Sequence, residues 1–246
     1  RLTSQIRELA LSPEGKKVLF TVRGEVFPAS AKDGGDAARV TTTAGNEAQV
    51  VWAPDSARAV YVSDRDGLSQ LFLYDFATQM ETRLTTGTVA DYAPTFSSDG
   101  TMLAFVRDRR ELRVIDLASK ADRLLASGTF GGALDAGRPI AFSPDNQWIA
   151  YLSASNRMFT NAWIAPAKGG NARQVSFIGN VNSDGLAWSP DGTFLTFTTG
   201  QRTERGQVAR VDLILRTPKF REDQFRDLFQ EPAQPPAPAP VTPPAP

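Results

Sequence analysis

Trp188-Ser189-Pro190-Asp191-Gly192 has four near copies earlier in the chain: Leu11-Ser12-Pro13-Glu14-Gly15, Trp52-Ala53-Pro54-Asp55-Ser56, Phe96-Ser97-Ser98-Asp99-Gly100 and Phe142-Ser143-Pro144-Asp145-Asn146. Their third positions, 13, 54, 98, 144 and 190, lie 41, 44, 46 and 46 residues apart. In these turns Pro presets φ, Asp bonds the backbone two residues on, and Gly supplies positive φ. Ser98, Glu14 and Asn146 depart from the pattern but are equally compatible with a turn. Each copy precedes a short apolar segment, so the unit is strand, turn, strand. A period in the forties built from short strands predicts an all-β protein, a β-propeller whose blades bury one another's faces.

The second repeat gives the blade in full. Gln49-Val50-Val51-Trp52 reads as an inner strand buried on both faces, Ala59-Val60-Tyr61-Val62 as the second, Leu71-Phe72-Leu73-Tyr74 as the third and Arg83-Leu84-Thr85 as a short outer strand. Second strands recur at Lys17-Val18-Leu19-Phe20, Met102-Leu103-Ala104-Phe105, Trp148-Ile149-Ala150-Tyr151 and Phe194-Leu195-Thr196-Phe197. Outer strands recur at Arg39-Val40-Thr41, Arg123-Leu124-Leu125 and Arg173-Gln174-Val175. Trp52, Trp148, Trp163 and Trp188 hold repeat positions and are expected between blades. Five four-stranded antiparallel blades are predicted, near 4–41, 46–86, 90–126, 138–176 and 182–216. The fifth has no outer triplet of its own, while Arg1-Leu2-Thr3 opens the chain. That triplet either closes a five-bladed ring or ends a preceding blade. The second reading is preferred because Arg1 is no initiator Met, which makes the five blades part of a six- or seven-bladed propeller.

Beyond 216, Thr217-Pro218 reads as an N-cap and first helical residue, and Phe225, Leu228 and Phe229 at helical spacing predict a short amphipathic helix over 217–230. Residues 231–246 are Pro- and Ala-rich and predict an extended linker.

Composition narrows the chemistry. Lys+Arg and Asp+Glu both number 27, leaving no net field for a polyanion and no nucleic-acid partner. No apolar run of membrane-spanning length occurs. Cys is absent, which removes disulfides and thiolates and leaves the compartment open; His is absent too, so neither a Ser-His-Asp triad nor a histidine metal site can be assembled within this sequence. No catalytic, cofactor-binding or metal-ligating residue is assigned, and no cofactor is expected. Asp64, Asp66 and Gly67 offer too few oxygens for calcium and read as a turn.

Candidate site residues come from position and charge. Tyr92, Asn180 and Asn182 stand at the predicted starts of inner strands, where a propeller mouth is lined. Arg107, Arg109 and Arg110 belong to a mixed-sign cluster, 107–111, which reads either as a solvated hairpin tip or as a docking point for peptide termini or a neighbouring domain. The glycine-containing insertion 128–139 predicts a mobile surface loop able to contact another domain.

The order strand, Ser-Pro-Asp-Gly turn, strand, Asp/Gly loop, strand, Arg-Leu-Thr resembles the TolB-type propeller repeat over residues 1–216. That repeat serves periplasmic adaptors, oligopeptidases, some amidohydrolases and tricorn proteases. Arg23-Gly24-Glu25-Val26-Phe27 with Ala31-Lys32-Asp33-Gly34-Gly35, and the exit Arg216-Thr217-Pro218-Lys219-Phe220-Arg221-Glu222-Asp223-Gln224-Phe225-Arg226-Asp227, are similar to the propeller of bacterial tricorn-like serine peptidases, ahead of the linker into their PDZ and catalytic domains. The resemblance implies a non-catalytic segment that gates or guides peptides or unfolded protein segments towards a downstream active site and supports assembly, homo-oligomers included. It implies a cytoplasmic location, with periplasmic or secreted forms still open. The alternatives are a TolB-like protein–protein interaction propeller, and a propeller preceding an amidohydrolase or oligopeptidase domain.

Overall fold

The computed structural model describes residues 6–130, 139–155, 157–200 and 206–214. The chain separates into two units, Arg1–Leu213 and Ile214–Pro246. Arg1-Leu2-Thr3, the helix expected over 217–230 and the linker over 231–246 lie outside the described residues.

Eighteen strands form five antiparallel sheets among the described residues. Blade one is β1 (Ile6–Leu11), β2 (Lys17–Val22) and β3 (Glu25–Ser30). Blade two is β4 (Glu47–Trp52), β5 (Arg58–Ser63), β6 (Gln70–Asp75) and β7 (Met80–Arg83). Blade three is β8 (Asp91–Phe96), β9 (Met102–Arg107), β10 (Glu111–Asp116) and β11 (Asp122–Ser127). Blade four is β12 (Ile140–Phe142), β13 (Trp148–Ala154), β14 (Thr160–Pro166) and β15 (Arg173–Gln174), and blade five is β16 (Asn182–Trp188), β17 (Phe194–Gly200) and β18 (Gln207–Asp212). The inner strands β1, β4, β8, β12 and β16 stand side by side in chain order. Each blade is a meander in which every strand pairs with its sequence neighbour.

A hydrophobic core fills every gap between consecutive blades. Leu19 and Val26 of blade one meet Tyr61 and Phe72 of blade two, whose opposite face sends Val60, Val62 and Leu71 against Leu103 and Phe105 of blade three. Met102, Ala104 and Val106 then face Ile149 and Tyr151, and Ala150 and Leu152 face Leu195 and Phe197. Alternate residues of one strand thus serve two different cores, which explains why the second strands read as unbroken apolar runs. At the ends of the array the same faces are open. Leu11 occupies the position of Trp52 and Trp188, yet it is 57% exposed, and Val208 of β18 is 72% exposed.

The turns are built as read. Ser97, Ser143 and Ser189 are buried. Each Oγ accepts the backbone N–H five residues on, at 2.9 Å from Met102, 2.9 Å from Trp148 and 3.0 Å from Phe194. Each Oγ donates in turn to the carboxylate two residues on, Asp99 at 2.6 Å, Asp145 at 2.5 Å and Asp191 at 2.6 Å. The serine hydroxyl, followed by the Thr193 hydroxyl, pulls the Asp191 pKa down to about 2. Asp99 and Asp145 are lowered too, with the serine again the largest cause.

The outer strands differ from expectation. β7 ends where Arg-Leu-Thr begins, and Arg39-Val40-Thr41 forms no strand. A hydroxyl clasp does the work instead. Val40 N–H donates to Val26 O while Val26 N–H donates to Thr41 Oγ1, both at 2.9 Å. Blade two repeats this with Leu84, Leu71 and Thr85, and blade four with Val175, Ala162 and Ser176. Nε of Arg39 and Arg83 and Nε2 of Gln174 then bond the carbonyl of the clasping residue, so the working triplet of blade four is Gln174-Val175-Ser176, one position later than read. Blade three carries Leu125 in place of the hydroxyl. Its sheet runs on to Ser127, and Arg123 Nε is buried without a partner.

The tryptophans divide. Trp52 and Trp188 bridge blades through Nε1, donating to Ala10 O at 3.0 Å and Ala141 O at 2.9 Å, and Trp163 stacks on Tyr151. Trp148 corrects the expectation. As the first residue after its turn it is 37% exposed and belongs to none of the cores between blades.

Candidate functional site

Inner strands begin, and the hairpins joining second to third strands lie, on the face opposite the Ser-x-Asp turns. We call it the mouth face. In blade three it is closed by ion pairs. Asp91, fully buried, holds Arg107 through two bonds of 2.8 and 3.0 Å, and Arg107 reaches Asp122 at 3.0 Å. The bond to Asp91 raises the Arg107 pKa, so this guanidinium is committed within its blade. Arg109 lies over the ring of Tyr92, 5.7 Å from its centroid, and its carbonyl accepts Phe130 N–H at 2.9 Å. Tyr92 is within β8 and packs against the core between blades three and four. Arg110 is exposed, and its carbonyl accepts Gly128 N–H at 2.7 Å.

Blades four and five are open where blade three is closed. A cavity of about 610 Å³ lies between their mouth-face ends, with the segment leaving blade three as a third wall. That volume suits a peptide side chain or a small ligand. Phe130 and Leu152, both buried, line it beside Met158 and Val181, which are 65% and 46% exposed. Thr129, Thr160, Ser183 and Thr199 supply hydroxyls, and among the described residues Asp184 is the one ionisable residue of the lining. Several of these groups are held from behind. Thr160 Oγ1 donates to Val181 O at 2.9 Å, Asn180 Nδ2 donates to Thr199 Oγ1 at 2.8 Å, and Thr129 N–H donates to Ser153 Oγ at 3.0 Å.

The six candidates are therefore not one site. Asn182 lines the cavity and Asn180 braces its wall. Tyr92, Arg107, Arg109 and Arg110 belong to blade three, and none of them lines the cavity. The insertion after β11 starts differently from expectation. Gly128 and Thr129 are tied to Arg110 and Ser153, and Phe130 is core, while residues 131–138 lie outside the described residues. Sequence reasoning missed Phe130, Met158, Val181 and Asp184. One signal was present: Asp184-Gly185 interrupts an inner strand, and Gly185 has φ of 64° at a β-bulge that directs the backbone off the ladder.

Among the described residues, no group of three or more His, Asp or Glu could hold a metal ion, and no helix is long and apolar enough to cross a membrane. The arrangement offers an apolar recess rimmed by hydroxyls, which is chemistry for binding.

Radial meanders of three or four strands with Ser-x-Asp turns define a β-propeller of the TolB type. The family model described as the TolB beta propeller domain (PD40) matches residues 8–133, and the chain belongs to that family. The fold is similar to that of a TolB candidate from Agrobacterium tumefaciens, with a TM-score of 0.65 and 17% identity over 85% of this chain and 77% of that one. TolB from Acinetobacter baumannii gives a TM-score of 0.59 at 18% identity over 83% of this chain, and the tricorn protease 0.61 at 14% over 81%. The match spans 49% of that TolB and 20% of the tricorn protease, so the likeness is one of fold. No curated protein matches the chain.

Proposed function

We propose that this chain is a non-catalytic interaction propeller that takes up extended peptide segments at its mouth face, and that it guides them to the active site of a tricorn-like serine peptidase. The observation that carries the reading is the cavity between blades four and five, apolar within and hydroxyl-rimmed. The absence of His from the sequence supports the lack of a Ser-His-Asp centre of its own. The exit sequence 216–227 supports the peptidase context, and the fold shared with the tricorn protease is compatible with it.

Titrating the chain into fluorescein-labelled unstructured peptides tests the first part. Saturable binding that Val181→Asp abolishes, at an unchanged melting temperature, is the expected result; binding indifferent to Val181→Asp would move the site elsewhere. In a longer polypeptide carrying a peptidase domain, the same substitution should slow cleavage of long peptides and leave short ones untouched. The fold shared with TolB favours a second reading, a propeller docking a folded partner. Under that reading unstructured peptides do not bind.

A further inference from the structure

Asp184 gives the recess a charge preference. Every other described residue lining the cavity is neutral, while Phe130, Leu152, Met158 and Val181 form its apolar part. Asp184 Oδ1 accepts Gly185 N–H at 2.6 Å, which pins the carboxylate at the bulge of β16, and no cation is paired with it among the described residues. A carboxylate fixed beside an apolar recess attracts a positive charge carried next to a buried side chain. A like charge there would be repelled.

Resting on the reading of the mouth face as a peptide-binding site, we infer that the recess selects internal peptide segments in which a large apolar residue is followed by Lys or Arg. The apolar side chain fills the space against Phe130 and Leu152, and the long basic side chain reaches Asp184 while its head stays solvated. Because Asp184 is partly exposed, the pair is screened and sets preference rather than bulk affinity.

The test uses the whole chain and octapeptides with acetylated N-termini and amidated C-termini, so that only the central pair varies: Leu-Lys, Leu-Gln, Leu-Glu and Ser-Lys. Fluorescence anisotropy should rank Leu-Lys about 3–10-fold tighter than Leu-Gln. Leu-Glu should be weaker than Leu-Gln, and the spread should shrink as salt rises. Asp184→Asn keeps an oxygen for the Gly185 N–H and should erase the Lys–Gln–Glu ranking while the Leu–Ser difference remains. Equal binding of Leu-Lys and Leu-Glu, or a ranking that survives Asp184→Asn, overturns this inference and leaves the peptide-binding reading intact. Binding of none of the four overturns both. A fifth octapeptide, Leu-Gln with a free N-terminus, that outcompetes the acetylated Leu-Lys peptide places the cation on the terminus instead and overturns the assignment to a basic side chain.

Discussion

The turn face and the mouth face of the same blades follow different rules. On the turn face one arrangement recurs: Ser97, Ser143 and Ser189 each bind the main chain five residues on and a carboxylate two residues on. On the mouth face the matching positions diverge. Glu47 pairs with Ser63, Asp91 with Arg107, and Ser183 with Thr199. The repeated face carries the fold, and the divergent one is where the proposed recognition falls, since a turn must close whatever the partner while a mouth need not be the same twice.

This contrast can be broken in several ways, beginning with the body that both faces share. Trp52→Ala should cost about 3–5 kcal/mol in chemical denaturation, because a buried indole and its bond to Ala10 are lost together. Trp148→Ala should change stability by less than about 1 kcal/mol. Equal losses at the two positions would contradict the division between covered and open repeat positions. On the turn face, Ser189→Ala leaves Phe194 N–H without its acceptor and should cost about 1–2 kcal/mol, whereas Asn182→Ala on the mouth face should stay within about 0.5 kcal/mol and be read in peptide affinity.

Acid sharpens the contrast further. The folded-state pKa of Asp191 is about 2 against an ordinary 3.8, and Asp99 and Asp145 are shifted the same way. The unfolded chain therefore takes up these protons first. The contribution of the turns is full above about pH 4 and is lost as pH falls from 3.8 towards 2. Melting temperatures recorded across that window should fall, and Asp191→Asn should flatten part of the slope. A slope unchanged by that substitution would assign acid sensitivity elsewhere. The smallest effect is expected at Arg110. It is exposed and lines no cavity, so Arg110→Ala should alter neither stability beyond about 0.5 kcal/mol nor peptide affinity.

Most of the fold was legible because propeller physics is local and repeated. The turn residues, the apolar second strands and the spacing between copies each report on one blade at a time. What escaped depends on neighbours. Arg-Leu-Thr resembles a strand in composition, yet its Thr is conspicuous only once the hydroxyl is seen replacing a ladder bond to Val26 or Leu71. Trp148 shares its residue type with Trp52 but stands on the far side of the turn. The cavity was hardest to foresee, because Phe130, Leu152, Met158, Val181 and Asp184 come from three blades and meet only after the array has formed. Asn182, chosen by position, lines this cavity, and the arginines were chosen by charge without knowledge that Asp91 claims Arg107.

The hydroxyl clasp also governs where the protein accommodates extra sequence. After Thr41, Thr85 and Ser176 the next inner strand begins six positions later, at Glu47, Asp91 and Asn182. After Leu125, which has no hydroxyl to offer, β12 begins fifteen positions on, at Ile140. Three of these links are short tethers cut to a common length, and the fourth is more than twice as long. There Gly128, Thr129 and Phe130, tied to Arg110, Ser153 and Arg109, do the fastening that the missing hydroxyl does not.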